Sequence, residues 1–588
     1  MDTVKDAVAC LLDVMEGHGV KNLVCSPGSR NAPLLMGARS RENFNKHIVI
    51  DERSAAFMAL GIALVTNEPV ALICTSGTAL LNYAPAVAEA YYQGIPLIVV
   101  SADRPKEWID QDDSQTLRQF EALGNFVKGN YDISDRETTD AGMWYVNRIA
   151  NDAMLSALRP KQGPVHINLR LSPPLNELRK KMVKHRFSQR IVREIPTYSL
   201  PDKTIIKELA GKLIGKKIII TVGFHRPDST LNKALLKLRR HPNVVIMAET
   251  ISNTHLPAED YVIDAALCNL HNTPDELRFR PDVIISTGGA LISRMLKEFL
   301  RSSADDGIEH WSIGPNHTTV DPFKSLTLRI ESDPGRFLSL LSAEMAHKMK
   351  LLNESKSFDQ DTEDDTARNV PAYGYIFNQL KQEAISRINN YIAGQPWSEL
   401  LAFSIILNSL PREYNLYLSN GTAIRYAQLI PYSLPHASFC NRGVSGIEGS
   451  TSTATGGALA YRGRSIMITG DMSFSHDLGG MAMAARNNAR LDIIVINNSG
   501  GGIFRFIDST SSLPDRELYF CADPAVDIKG VAEAFGFIHY TADSTETLEL
   551  ALKSFYSSTA GKHARKLLEV RVPPEDSADI LRKFLRPL

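Results

Sequence analysis

The sequence predicts an α/β protein of three consecutive domains, each a mainly parallel sheet flanked by helices. Three observations carry that expectation. Short, almost unbroken apolar runs of strand length alternate with helix-length segments, the pattern of strands buried on both faces. The series restarts twice, once after a basic, proline-containing stretch and once after a long polar one. Finally, 588 residues are too many for one hydrophobic core and favour several domains.

Taken in order, MDTVKDAVACLLDVMEGHG reads as an amphipathic helix leading into the strand NLVCSP, and HIVID, VALICTS and PLIVVSA continue a first domain over 1–185. The stretch LRKKMVKHRFSQRIVREIPTYSLPD separates it from a second domain over 200–355, with strands KIIITVG, NVVIMAE, DVIISTG and HWSIG. The polar NESKSFDQDTEDDTARNVPAYG has no apolar period and reads as a solvated linker or an exposed helix. A third domain over 395–588 carries NLYLSNG, SIMITGD, DIIVINN and LLEVRV. The first and third blocks are candidates for distant copies of one unit.

Lys and Arg together number 65 against 66 Asp and Glu, so no net basic field invites nucleic acid. Cys10, Cys25, Cys74, Cys268, Cys440 and Cys521 are scattered without a Cys-x-x-Cys pair, which predicts neither a zinc site nor a disulfide framework and suits a cytoplasmic setting. The N-terminus lacks a charged leader with an apolar core, so no export signal is expected. No apolar run reaches the eighteen or so residues of a membrane span.

The most informative stretch is Gly470–Phe504. ITGDMSFSHD, LGGMAMAARNNARL and DIIVINNSGGGIF read as strand, helix, strand, which returns a parallel strand beside its predecessor. Both strand ends then open on the carboxyl edge of one sheet, where ligands sit in open α/β folds. Asn498 follows Asp471 by 27 residues. Asp471, the Asn498 side chain and a backbone carbonyl near Gly500 are hard oxygen donors, a set that suits magnesium. The plainer alternative is a doubly wound domain in which Asp471 only caps a helix.

Other strand ends carry arginines and amides. SPGSRNAPL, SADRP, DDSQTLRQ, SNGTAIRY and CNRGVSGIEG each place one there, and arginine so placed reads planar carboxylates by paired hydrogen bonds. Each arginine alone would more commonly make a surface salt bridge. Pyruvate would need few of them, whereas a dicarboxylic 2-oxo acid with a carboxylated acceptor would need several.

The Gly-Asp and Asn-Asn pair at this interval resembles the diphosphate-binding motif of thiamine diphosphate enzymes, with Met472 where the usual third residue is Gly. SPGSR, DER, TSGTA, ADRP, NRG-x-SGI and NN-x-GG-x-IF, in that order, resemble the 2-succinyl-5-enolpyruvyl-6-hydroxy-3-cyclohexene-1-carboxylate synthases of menaquinone biosynthesis, over the first and third domains. The resemblance implies a thiamine diphosphate-binding fold with thiamine diphosphate and Mg2+ as cofactors, Mn2+ being the alternative ion. Asp471, Asn498 and Gly500 would hold the metal. Thr75, Gly77, Thr78, Ser445, Ile447, Gly470, Asp471, Met472, Ser473, Asn498, Gly500, Gly501, Ile503 and Phe504 would line the cofactor. Glu52 would be catalytic, hydrogen-bonding the aminopyrimidine ring, and Ile447 would prop the bent cofactor. For each a bland reading stands beside the functional one: Glu52 as a solvated helix start, Thr75–Thr78 as a tight packing turn, Ile447 as core.

The implied reaction is decarboxylation of 2-oxoglutarate and conjugate addition of a succinyl carbanion equivalent to isochorismate. Ser29, Arg30, Arg104, Gln115, Arg425 and Arg442 would bind substrate, with Arg294 of LISRML as a further contact from the second domain. A homo-oligomer is implied, a dimer or a dimer of dimers, because in this family the glutamate of one chain faces the diphosphate domain of another. Gly421, Ser293 and Ser114 depart from the family pattern of Ser, a basic residue and Asn, which bears on substrate affinity rather than on the reaction. The alternatives are another thiamine diphosphate-dependent 2-oxo acid decarboxylase or acetolactate synthase, and a regulatory protein that keeps the fold without catalysis.

Overall fold

The computed structural model describes residues 2–179, 190–195, 197, 199–270, 275–304, 307–315, 319–356, 372–557 and 564–585. After the two-residue β1 (Asp2–Thr3), the first sheet contains β2 (Asn22–Cys25), β3 (Asn45–Ile48), β4 (Val70–Cys74), β5 (Leu97–Asp103), β6 (Asn130–Ser134) and β7 (Val165–Arg170). Its order is β3-β2-β4-β5-β7-β6, and every pairing is parallel. β8 (Leu178–Arg179) returns to pair antiparallel with β1. The second sheet, β9 (Ile218–Val222), β10 (Val244–Ala248), β11 (Val283–Thr287), β12 (Glu309–Ile313) and β13 (Leu326–Ile330), has the order β10-β9-β11-β12-β13. The third contains β14 (Asn415–Leu418), β15 (Ala437–Phe439), β16 (Ser465–Gly470), β17 (Leu491–Asn497), β18 (Phe537–Ala542) and β19 (Arg565–Arg571) in the order β15-β14-β16-β17-β19-β18.

The expected α/β class and three parallel sheets are therefore present. β4 and β5 are buried at every position, as parallel strands covered on both faces must be. The helix Glu52–Thr66 starts where Asp51 caps it, its carboxylate accepting the N–H groups of Arg53 and Ser54, and ends at Asn67 in the left-handed region at φ 56°. This helix crosses Ser450–Ala460 of the third unit at backbone distance. A Cβ on Gly61 would lie 2.0 Å from the Thr453 carbonyl oxygen, and one on Gly456 2.0 Å from that of Met58. Only glycines permit that approach.

Two expectations need amending. HIVID predicts a strand over 47–51, but β3 spans Asn45–Ile48, and the following residues, with Ile50 76% exposed, form the approach to Glu52. Of the polar stretch 353–374, read as a solvated linker or an exposed helix, 357–371 lie outside the described residues, while 353–356 end the helix Pro334–Lys356 and 373–374 begin the next. Tyr373–Ala393 is a helix whose Phe377, Ala384 and Ile388 join one core with Val245 and Met247 of the second sheet and Phe403 and Leu416 of the third unit.

Candidate active site

The carboxyl edge of the third sheet gathers β16 and β17 as neighbours, so Asp471 and Asn498 emerge side by side. Asp471 is 3% exposed; its Oδ1 accepts the Met472 N–H at 2.7 Å and its Oδ2 accepts the Gly500 N–H at 2.8 Å. Burial pushes this carboxyl up to about 6, against the pull of those two N–H groups. Gly500 reaches it at φ 108°, a backbone conformation that needs glycine, and a Cβ there would lie 2.2 Å from the Cys521 carbonyl oxygen. Its own carbonyl accepts the Gly502 N–H at 2.8 Å, which leaves one lone pair.

Asn498 is equally buried, and two residues absent from the sequence reading hold it. Glu399 Oε2 accepts from Asn498 Nδ2 at 3.1 Å, which fixes the amide so that Oδ1 is the free end. That oxygen is buried and accepts no hydrogen bond. Glu399 is itself buried, receives the Thr422 hydroxyl at 2.6 Å, and is pushed up to about 7 by burial. Arg505, 1% exposed, donates to the carbonyls of Asn498 and Ser499 at 2.8 Å each and pairs with Glu517 at 2.7 Å. It clasps the turn from beneath.

Ser473 donates its hydroxyl to the Ile447 carbonyl at 2.7 Å, tying the 440–447 loop to the helix Asp471–His476. Ser445 in that loop has φ 66°. Ile503 and Phe504 are half-buried on the short helix after Gly501, with Phe504 near Phe520 at 6.1 Å between ring centroids. A Cβ on Gly470 would meet nothing within 4 Å, so the space beside Asp471 is open.

The arginines expected to bind substrate fall into two groups. On the first sheet, Arg30 is 9% exposed and donates to the Leu171 carbonyl at 3.0 Å, its guanidinium held below its usual range by burial and by Arg104. Arg104 pairs with Asp113 at 2.8 Å and donates to the Ser114 carbonyl at 2.6 Å. That contact uses backbone, so it is indifferent to Ser in place of Asn. Thr75 is buried with its hydroxyl unbonded, against Gly28, while Gly77 at φ 87° gives its N–H to Gln119 at 2.7 Å. Ser29, Thr78 and Gln115 are exposed, Gln115 lying against Gly77.

On the third sheet, Arg425 donates to the Gly421 carbonyl and is held below its usual range by burial and by Arg442. Gly421 has φ 106°, a backbone conformation that glycine adopts without strain. Arg442 donates to Asn420 Oδ1 at 3.0 Å and keeps a buried, unbonded Nε. No hydrogen bond between described residues joins the Arg30 and Arg104 pair to the Arg425 and Arg442 pair.

Arg294 stands apart from both groups. Its side chain is 80% exposed and bound to Glu298 at 2.6 Å, one turn along a surface helix. Ser293 is buried as that helix's cap, accepting the Leu296 N–H at 2.9 Å and giving its hydroxyl to Asp264. The inward cation is Lys297, half-buried, donating to the Leu291 carbonyl at 3.2 Å; burial lowers its pKa and Glu249 raises it, with Arg442 among the neighbours that oppose its charge.

Glu52 is half-buried at the start of its helix and accepts no hydrogen bond from any described residue. The adjacent Arg53 donates to the His476 carbonyl at 2.8 Å, at the far end of the helix that Asp471 begins.

A buried carboxylate and an unbonded amide oxygen beside open space are the kind of oxygen donors that suit a divalent cation bearing an anionic ligand. Among the described residues no three His, Cys, Asp or Glu side chains group to hold a metal, so this amide and carbonyl set is the site's own. The comparisons agree with that chemistry. A family model described as "Thiamine pyrophosphate enzyme, N-terminal TPP binding domain" matches residues 5–122, and its C-terminal counterpart matches 421–564. A solved structure of benzoylformate decarboxylase from Polynucleobacter necessarius shares the fold, with a TM-score of 0.68 at 16% identity, covering 98% of this chain and 99% of that one. The fold and both halves of the site are those of a thiamine diphosphate enzyme. More narrowly, the chain is 39% identical to the 2-succinyl-5-enolpyruvyl-6-hydroxy-3-cyclohexene-1-carboxylate synthase of Porphyromonas gingivalis, over 99% of this chain and 96% of that one. It is 35% identical to that of Cytophaga hutchinsonii, over 99% of each. It belongs to the family of these synthases.

The residues present fit the cofactor. Asn498 Oδ1, the Asp471 carboxylate and the remaining lone pair of the Gly500 carbonyl are the donors a magnesium diphosphate requires, and the Glu52 carboxylate is unengaged.

Proposed function

We propose that this chain joins 2-oxoglutarate, with loss of carbon dioxide, to isochorismate, as a synthase of menaquinone biosynthesis acting in the cytoplasm. The observation that carries the reading is the unbonded, buried Asn498 oxygen next to Asp471, with Arg425 and Arg442 near each other on the same sheet, in a chain whose full length matches these synthases. Thiamine diphosphate, when bound, supplies the carbanion centre and electron sink that decarboxylation and carboligation need. Asp471, Asn498 and the Gly500 carbonyl hold Mg2+, with Mn2+ as the alternative, and Glu399 keeps the Asn498 oxygen turned outward. Glu52 holds a proton at the aminopyrimidine ring. Arg30, Arg104, Arg425 and Arg442 bind the substrate carboxylates, and Ser29 and Gln115 add hydrogen bonds. Ile447 would support the cofactor, and Ile503 and Phe504 would keep water away from the reacting carbon.

The working unit is a homodimer or a dimer of dimers of chains divided at 1–185, 200–355 and 395–588. Exposed apolar residues support this: Ile50 beside Glu52, Val444 in the Arg442 loop, and Leu518 and Tyr519 after the metal turn are 76%, 46%, 68% and 72% exposed, a distribution a second copy would cover. Product analysis tests the reading. With magnesium and thiamine diphosphate, isochorismate should be consumed only when 2-oxoglutarate is present. Acetolactate formed from pyruvate alone, with isochorismate untouched, would contradict it.

A further inference from the structure

Glu89 lies on the helix Ala84–Gln93 of the first domain and is 1% exposed. Its partners are far away in sequence. Oε1 accepts the Gly443 N–H at 2.6 Å and Oε2 the Val444 N–H at 2.7 Å. Gln93, one turn along the same face, donates to Glu89 and to the Cys440 carbonyl, the latter at 3.2 Å. The approach depends on glycine, because a Cβ on Gly443 would lie 2.6 Å from the Glu89 carbonyl oxygen. From the other side Asn420 donates to the carbonyls of Asn441 and Gly446 at 2.6 and 2.7 Å. Arg442 and Ile447 therefore sit on a loop gripped by two domains.

Burying a carboxylate is unfavourable unless hydrogen bonds compensate, and a site needing only packing would be met by an apolar side chain. One carboxylate receiving two consecutive N–H groups fixes both the height and the rotation of the loop. We infer that Glu89 is a positioning residue for the reaction, holding the Gly443–Val444 backbone so that the adjacent Arg442 guanidinium stands at the edge of the third sheet. The inference rests on Arg442 being a substrate-carboxylate residue.

Glu89→Gln tests it, because an amide of the same size turns its NH2 toward one of the two N–H donors. The measurements are KM and kcat for both substrates, thiamine diphosphate affinity in magnesium by calorimetry, and the double variant with Arg442→Ala. Glu89→Gln should raise, by about tenfold, the KM that Arg442→Ala raises, since a buried donor is left unpaired. Cofactor affinity should stay within about threefold, and the double variant should be no worse than Arg442→Ala alone, as expected for residues acting through one contact. If Glu89→Gln does not fold, Gln93→Leu should shift the same KM by a smaller factor. Parent KM values in the variant that folds, or losses that multiply in the double variant, would overturn the role of Glu89. Parent kinetics in Arg442→Ala would overturn instead the reading of the site.

Discussion

The first and third sheets have one strand order, β3-β2-β4-β5-β7-β6 and β15-β14-β16-β17-β19-β18, yet their carboxyl edges carry different chemistry. After the first strand of each, β2 and β14, come Ser26 to Arg30 and Ser419 to Arg425. After the second, β3 and β15, come Glu52 and Arg442. The third, β4 and β16, leads to Thr75 in one and Asp471 in the other, and the fourth, β5 and β17, to Arg104 and Asn498. One topology thus supplies four equivalent perches, in keeping with ligands binding outside the carboxyl ends of strands. What differs is the support underneath. Behind the first edge Asn168 donates to Asp103 and Asp132 at 3.0 and 2.8 Å, and Arg170 pairs with Asp103 at 3.0 Å, a network closed on itself. Behind the third, Glu399 and Arg505 orient Asn498 and leave its oxygen unsatisfied. With Asp471 and Asn498 as the proposed metal ligands, the third edge would complete its bonding with a cation, and the first would present a carboxylate and arginines.

If that division is right, breaking the third edge should remove the cofactor. Asp471→Ala should weaken thiamine diphosphate binding in magnesium by about a hundredfold or more, beyond the tenfold to hundredfold typical of residues behind a metal ligand. Calorimetry reads this, with the melting temperature as a check that the chain still folds. Unchanged affinity would remove Asp471 from the metal.

Arg425→Ala and Arg442→Ala should each raise the KM for at least one substrate by about tenfold to a hundredfold, the usual effect of unpairing a partly buried carboxylate. Steady-state kinetics with each substrate varied would show it, and parent constants for both would place these side chains outside the pocket. Glu399→Ala, acting behind Asn498, should lower cofactor affinity by about tenfold; calorimetry in which it matches Asp471→Ala would mean that Glu399 does more than orient the amide. The smallest effect belongs to Arg294→Ala. With its side chain in solvent on Glu298, both KM values should stay within about twofold, and a larger rise would return Arg294 to the substrate.

Much of this was legible in the sequence because strand ends announce themselves. VALIC, SIMITG and DIIVIN are mainly apolar runs, and the residue that follows each, Thr75, Asp471 and Asn498, is the one placed at the sheet edge. Four of the strands not read from sequence share a cause. β6, β13, β15 and β18 are sheet edges, and β6, β13 and β18 have alternating or partial burial that breaks the apolar run. β7 is interior but carries buried His166 and Asn168, which satisfy each other's surroundings through Ser101 at 2.8 and 3.2 Å. Among site residues, Glu399, Glu89 and Lys297 leave no local pattern. Glu399 meets Asn498 across 99 residues and Glu89 meets Gly443 across 354, so only the folded chain brings them together. Arg505 was closer to view, seven residues after Asn498 in SGGGIFRF, where a buried arginine behind a glycine turn is the signal that could have found it. LISRML offers Arg294 at a helix start, whereas the inward placing of Lys297 three residues on is a tertiary property.

The measurement that tests the division of labour most directly sets Glu52→Gln beside Asp471→Ala in one calorimetric and kinetic experiment. The account predicts that Glu52→Gln binds thiamine diphosphate in magnesium within about tenfold of the parent, while its turnover falls roughly a hundred- to ten-thousandfold, the range of a lost acid–base group. Asp471→Ala should lose binding first. Parent turnover in Glu52→Gln, or loss of binding in both variants alike, would contradict the assignment of proton chemistry to the first sheet and metal binding to the third.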